Sequence, residues 1–192
     1  PLHRCIIDGY SETGVTIMYM APGMDDGDII TQKSIKIEDT DNVGTIHDKL
    51  SILGRDLLLE TLPSIFNGTN GRTRQDENEV TFAYNIKREE EKLDFNEKAR
   101  EVFNHIRGMY PFPVSYTTLN GEIIKICESK IGTKTSGTVG EIISIYDNGI
   151  GVKCSDTEII ITKLKPSGKK EMMARDFING RGKDKLLGEK LC

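Results

Sequence analysis

Three carboxylates lie close together in the stretch MAPGMDDGDII, residues 20–30. Two glycines bracket the pair Asp25-Asp26, and Asp28 follows at once. Neighbouring carboxylates repel one another, so either the turn is solvated and its acids bond nearby backbone N–H groups, or one acid has a catalytic task. A positioned carboxylate can act as a general base or orient a protonated partner. Calcium is disfavoured because the alternating ligands and distal Glu of an EF-hand loop are absent.

Basic side chains are concentrated near the C-terminal end of the chain. From Thr162 onward the chain holds 9 basic against 4 acidic side chains, whereas residues 1–80 hold 7 against 14. The overall net charge of −4 therefore conceals a basic end. Such a group can bind an anionic partner such as a nucleic-acid backbone, although an ordinary solvated edge has the same composition. The candidates are Lys163, Lys165, Lys169, Lys170, Arg175 and Arg181.

Two predicted strands hold the acidic turn. Residues 13–20 alternate between two faces, and residues 29–37 place Ile and Thr side chains on one side. We expect a short helix over residues 1–9 before this hairpin and a long amphipathic helix over residues 43–66 after it. A loop anchored at both ends by a core can hold a carboxylate to the tolerance that catalysis demands.

The second half of the chain has a different pattern. Residues 67–79 contain no apolar side chain and are rich in Gly, Asn and charged residues, and we predict a linker over residues 67–82. A helix capped by Asp94 follows. Five short strands then alternate with turns, of which Asn120-Gly121 indicates a type I′ hairpin. This rhythm predicts a small closed or nearly closed barrel, and the OB-fold is the five-stranded example that binds nucleic acid.

Composition excludes several classes of protein. The chain has 192 residues, of which 36% are hydrophobic and 29% charged, typical of a globular protein. No apolar run reaches the roughly 20 residues of a membrane span and no signal peptide is evident, so we expect a cytoplasmic location. Four widely spaced cysteines without a C-x-x-C pair indicate neither a zinc site nor a disulfide framework. Because the chain begins at Pro1, we expect it to be the inside of a longer protein.

Several motifs, in order, resemble methionyl-tRNA formyltransferases. They are the His3-Arg4 helix with ETGVTIMYMAPGMDDGDII, then FAYNIKREEEKLDF, IRGMYPFPVSYTTLNGE and LKPSGKKEMMARDFINGR. The resemblance implies the C-terminal two thirds of such an enzyme. Residues 1–66 would form the C-terminal part of a Rossmann-like catalytic domain of α/β type. Residues 67–82 would link it to an OB-like tRNA-binding domain, residues 83–192.

The resemblance also implies a reaction. This family transfers a formyl group from 10-formyltetrahydrofolate to the amino group of methionyl initiator tRNA, for translation initiation, without a metal; we expect a monomer. The family's aspartate falls on Asp25, with Gly23, Met24 and Gly27 as the folate loop. Its Asn, its His and a Ser-Leu-Leu-Pro loop would lie before Pro1, so we expect the 192-residue chain alone to be inactive, with a structural role for its own His3.

Amine attack on a formyl carbonyl explains the need for an acid. Negative charge develops on the oxygen and positive charge on the nitrogen. A carboxylate near the family's histidine would favour the imidazolium that stabilises the oxyanion, and it could accept the amine proton through a water. We assign this work to Asp25, and we assign Asp26 and Asp28 to solvent and local backbone bonds.

For the tRNA, the resemblance implies contacts to backbone phosphates from the basic end. The residues are Lys165, Lys169, Lys170, Arg175 and Arg181. Tyr110, Phe112 and Tyr116 are expected in the core of the barrel rather than stacked on bases. Alternatives are a folate-dependent formyltransferase acting on an amino sugar nucleotide, a 10-formyltetrahydrofolate hydrolase, and a non-catalytic RNA-binding fragment. The basic stretch KPSGKK favours tRNA.

Overall fold

In a computed structural model that describes residues 1–192, the chain forms two regions with separate hydrophobic cores. The helices are Leu2–Ile7 (α1), Val43–Phe66 (α2), Ala99–Met109 (α3), Ala174–Arg181 (α4) and Lys183–Leu186 (α5). The strands are Glu12–Met18 (β1), Ile29–Lys36 (β2), Tyr116–Leu119 (β3), Glu122–Ile131 (β4), Ile142–Tyr146 (β5), Gly149–Lys153 (β6), Glu158–Pro166 (β7) and Met172–Met173 (β8). None of the helices combines the length and apolarity needed to cross a membrane.

The N-terminal region is built on one hairpin. Strands β1 and β2 pair antiparallel, with Val15 opposite Lys33, which confirms both predicted strands. Helix α2 packs against them, and Asn42 caps it by accepting a hydrogen bond from the Thr45 N–H at 3.0 Å. The core residues are Ile6, Ile37, Val43, Ile46 and Leu50. No parallel strand pair occurs in this region, so it contains α/β elements but not the Rossmann-like pattern itself.

The C-terminal region is an antiparallel sheet of order β3-β4-β7-β6-β5, with β8 paired to β7. Asn120 and Gly121 both have positive φ angles, of 51° and 81°, so the predicted type I′ turn between β3 and β4 is confirmed. The strands and helices α3 and α4 enclose a core of 20 buried residues. Strand β8 and helices α4 and α5 were not anticipated from the sequence, because their apolar residues are too few to show a period.

A closed barrel is not confirmed. The outer strands β3 and β5 do not pair with each other. Instead the last residues of the chain lie between them: the N–H of Cys192 donates to the carbonyl of Thr118, and the N–H of Leu191 donates to the carbonyl of Gly140. The sequence pattern missed this arrangement because the terminal segment lacks the alternation of a strand.

Helix α3 begins later than expected. Asp94 does not cap it; its carboxylate accepts a hydrogen bond from the N–H of Asn96 at 2.9 Å and forms a local turn. The helix starts at Ala99, whose N–H donates to the carboxylate of Asp156 at 2.8 Å. The predicted cap was therefore wrong, because the acid that satisfies the helix start comes from the β6–β7 turn.

The two regions meet along helix α3. The Arg100 guanidinium donates to both carboxylate oxygens of Asp39, at 2.6 and 3.1 Å. In α1, Nδ1 of His3 donates to the carbonyl of Gly108 at 2.8 Å. A Cβ at Gly108 would lie only 2.6 Å from Cγ1 of Ile7. The backbone of α3 is therefore in direct contact with a side chain of α1. His3 thus has the structural role expected of it.

Candidate functional site

The acidic turn is a ten-residue loop, Tyr19–Asp28, between β1 and β2. Its neck is closed by the N–H of Tyr19, which donates to the carbonyl of Asp28 at 3.0 Å. At the tip, Asp25 has a φ of 57°, in the left-handed region that Asp tolerates better than most residues. The loop is two residues longer than residues 21–28, which the two predicted strands leave between them, because β1 ends at Met18.

The three acids of this loop have different surroundings. Asp28 forms an ion pair with Arg72 at 2.5 Å, so its assignment to solvent and local backbone bonds was wrong. The carboxylates of Asp25 and Asp26 are exposed and form neither an ion pair nor a hydrogen bond. The Asp26 carboxylate lies over Gly23, where a Cβ would collide with it. Two free carboxylates therefore remain at the tip.

The loop also leaves backbone groups free. The N–H groups from Met20 to Gly27 donate no hydrogen bond, and Met20 and Met24 are almost fully exposed. Gly27 is buried against the Tyr19 carbonyl, which a Cβ would strike, so its lack of a side chain is required within the loop. Open backbone donors beside apolar side chains suit a flat heteroaromatic ring with a polar edge, which fits the folate expected here.

A second segment lies on this loop and was missed in the sequence. Residues Asn70–Gln75, the clamp segment, follow α2 in the stretch interpreted as a linker. Thr73 pairs with Ile29 through two backbone hydrogen bonds, of 2.7 and 2.9 Å. The segment is polar and aperiodic, so its only sequence signal was a pair of basic residues, Arg72 and Arg74, that could pair with acids elsewhere in the chain.

Gln75 makes the contact closest to the candidate catalytic acid. Its Nε2 donates to the backbone carbonyl of Asp25 at 2.8 Å and to that of Gly27 at 2.7 Å. Carbonyl oxygens only accept hydrogen bonds, so the NH₂ end of the side chain must face the loop. One side chain thus bonds two backbone carbonyls on either side of Asp26, next to the loop tip.

Of the six candidate cations at the basic end of the chain, four are exposed and form no ion pair. Lys165 is the second-last residue of β7, Lys169 and Lys170 lie in the turn before β8, and Arg175 is the second residue of α4. Lys125 of β4 lies directly across from Lys165. Their positive charge is uncompensated, as a phosphate-binding surface requires.

Two other predicted cations are already paired. Burial disfavours the charged form of Lys163, but hydrogen bonds to Glu128 and Tyr110 outweigh it and raise the pKa of this lysine. Arg181 is paired with Glu122. Both side chains are therefore less available to phosphate than the four unpaired ones.

Phe112 is 76% exposed, so the expectation that it belongs to the core was wrong. Tyr110 and Tyr116 are half-buried. The neighbour of Phe112, Pro113, accepts a hydrogen bond through its carbonyl from Nζ of Lys125 at 3.0 Å. Phe112 is thus an exposed aromatic ring next in sequence to a residue that Lys125 contacts, and exposed aromatic rings can stack on unpaired bases.

Neither metal nor disulfide chemistry is evident among these residues. No group of three or more His, Cys, Asp or Glu side chains is arranged to hold a metal ion. All four cysteines are free, and burial raises the pKa of Cys127 and Cys154 to about 12. These two thiols are inert core residues.

Sequence comparison matches both regions to known families. Residues 1–62 match the family described as Formyl transferase, and residues 85–182 match Formyl transferase, C-terminal domain. Proteins named methionyl-tRNA formyltransferase from Staphylococcus aureus strains MW2 and Newman are 48% identical over 193 residues. The alignment covers 100% of the chain but 62% of each relative, so the chain spans less than two thirds of their length.

Solved structures show the same fold at low sequence identity. HypX from Aquifex aeolicus in complex with tetrahydrofolic acid has a TM-score of 0.70 and 16% identity, covering 92% of this chain and 32% of HypX. WlaRD, a sugar 3N-formyl transferase in the presence of dTDP and 5-N-formyl-THF, has a TM-score of 0.61 and 19% identity, covering 88% of this chain and 60% of WlaRD. With both regions matched in order along the sequence, the chain belongs to the formyl transferase family.

Proposed function

We propose that the intact protein transfers a formyl group from 10-formyltetrahydrofolate to the amino group of methionyl initiator tRNA, as a monomer in the cytoplasm. The observation that carries this proposal is the presence, in one chain, of an uncompensated carboxylate in an open loop and a separate group of unpaired cations. The 48% identity to methionyl-tRNA formyltransferases supports the choice of substrate.

Asp25 is the proposed catalytic acid. Its carboxylate has no partner in this chain, so it is free to accept the proton that the attacking amine loses, directly or through a water. The same charge would stabilise a protonated donor that binds the developing oxyanion. Asp28 cannot share this task because Arg72 already compensates its charge.

The loop around Asp25 is the proposed folate contact. Gly23, Met24 and Gly27 would face or support the pteridine ring, with unbonded N–H groups available to its polar edge. The co-substrate supplies the formyl carbon that the amine attacks. The role of the loop is to orient that carbon beside the carboxylate.

The C-terminal region is the proposed tRNA-binding domain. We assign residues 1–66 to the end of a Rossmann-like catalytic domain, 67–82 to the connection and 83–192 to an OB-like barrel that the terminal residues help to complete. Phosphate contacts would come from Lys165, Lys169, Lys170 and Arg175, with a weaker contribution from Arg181 because Glu122 competes for it.

The test uses the full-length protein and labelled 10-formyltetrahydrofolate. We expect label to appear on the amino group of methionyl initiator tRNA and not on a dTDP-amino sugar. Formylation of the sugar alone, or release of free formate without an acceptor, would replace this proposal with one of the other folate reactions. Binding of tRNA without any transfer would reduce the protein to an RNA-binding module.

A further inference from the structure

We propose that Gln75, which follows α2, is a positioning residue for the Asp25 loop. This inference rests on the proposed function, since it assumes that the Asp25 carboxylate takes part in the reaction. The contacts that carry it come from the clamp segment Asn70–Gln75, which the sequence had suggested was only a connection.

The loop tip has little else to fix its shape. No N–H group from Met20 to Gly27 donates a hydrogen bond, and the only backbone bond across the loop is at its neck. The Gln75 amide therefore supplies the hydrogen bonds that hold the backbone around Asp25, at 2.8 and 2.7 Å. The two bonded carbonyls lie on either side of Asp26, so a single amide nitrogen ties together the backbone next to Asp25.

The two ends of the loop are held by the same segment. Arg72 pairs with Asp28 at one end and its guanidinium lies 4.8 Å from the ring centre of Tyr19 at the other. Asn70 donates from Nδ2 to the Tyr19 hydroxyl at 2.6 Å. The neck is thus anchored independently of Gln75, and loss of Gln75 would loosen the tip rather than detach the loop.

A loose tip matters for the reaction because Asp25 has a left-handed backbone and an unpartnered side chain. Nothing in the carboxylate's own contacts restores its position once the backbone moves. A displacement of about 1 Å in a positioned group can cost about a hundredfold in rate. Water can replace part of the hydrogen bonding lost with Gln75 at this exposed site, so we expect the rate to fall by about tenfold.

The experiment compares Gln75→Met with Arg74→Ala in the full-length protein. Methionine has a similar length but no donor, and Arg74 is on the same segment but its side chain bonds Glu77 and not the loop. We expect Gln75→Met to lower kcat about tenfold with an unchanged KM for tRNA, and Arg74→Ala to behave as wild type. In an Asp25→Asn background, Gln75→Met should lower kcat by a much smaller factor than in the wild-type background, because its effect passes through Asp25.

Two results separate the failure of this inference from failure of the proposed function. A wild-type protein that transfers no formyl group contradicts the function itself. Wild-type turnover with an unaffected Gln75→Met variant, or an equal loss in both Asp25 backgrounds, contradicts the positioning role. Backbone ¹⁵N order parameters at Asp25 and Gly27 should fall in Gln75→Met; unchanged values also contradict it. Gln75→Ala, judged by the same measurements, replaces the methionine variant if that variant does not fold.

Discussion

Replacing Lys165, Lys169 and Lys170 together by glutamine should weaken tRNA binding and flatten its dependence on salt. All three side chains are exposed and have no ion pair within the protein. Each is therefore free to neutralise a phosphate and release its condensed counterion. The substitution removes three such contacts and leaves Asp25 and its loop unchanged.

The expected magnitude follows from the number of contacts. Each neutralised phosphate contributes about 0.7 to 0.9 to the slope of log K against log salt, so the slope should fall by roughly 2 to 3. Between 50 and 200 mM salt, the wild type should then lose about 20- to 40-fold more affinity than the variant does. Initiator and elongator tRNA should be affected alike, because phosphates carry no sequence information.

The assay is a titration of the full-length protein with both tRNAs at several salt concentrations. A charge-matched control replaces Lys183, Lys185 and Lys190, which are also exposed but lie outside the proposed surface. We expect that control to change the slope by much less than the first variant. Equal changes in the two triple variants would show a general effect of net charge, and an unchanged slope in the first would refute the phosphate contacts.

Three further predictions concern His105, the cysteines and Gly27. Burial lowers the pKa of His105, so its pKa in the folded protein lies below the unfolded value of about 6.5. The free energy of unfolding should therefore fall as pH drops below about 6.5. Denaturation at pH 7.5 and 5.5 should show a smaller difference in this free energy for His105→Gln than for wild type. Native thiol titration should label Cys192 readily and leave Cys127 and Cys154 unreacted until unfolding, since these two are buried with pKa values of about 12. Gly27→Ala should distort the loop and lower turnover at unchanged tRNA affinity, because the added methyl group meets facing backbone; normal turnover would contradict that packing.

Features that depend on local pattern were predictable from the sequence. The β3–β4 hairpin follows from alternation and from Asn120-Gly121, whose positive φ angles need no distant partner. Helix α2 follows from its apolar period over residues 43–66, and the capping residue Asn42 directly precedes it. In both cases the information lies within a few residues of the element.

Features that depend on distant partners were not predictable in this way. The acid that satisfies the start of α3 is Asp156, 57 residues away, so the local candidate Asp94 was misleading. The gap between β3 and β5 is filled by the end of the chain, whose residues show no strand pattern. Neither contact leaves a trace in local periodicity.

The same distinction between local and distant information applies to the candidate site. The position of Asp25 came from a local motif together with the family resemblance, and the structure places it in an open loop. That Asp28 is neutralised depends on Arg72, 44 residues further along. That Lys163 is paired depends on the register that brings Glu128 across from it.

The central claim is that the Asp25 carboxylate acts in formyl transfer while its neighbour does not. The most direct test compares turnover of Asp25→Asn and Asp26→Asn in the full-length protein under saturating tRNA and folate. We expect Asp25→Asn to lower kcat about a hundredfold or more with little change in tRNA affinity or thermal stability, and Asp26→Asn to be mild. Comparable losses in the two variants, or a larger loss in Asp26→Asn, would contradict the assignment.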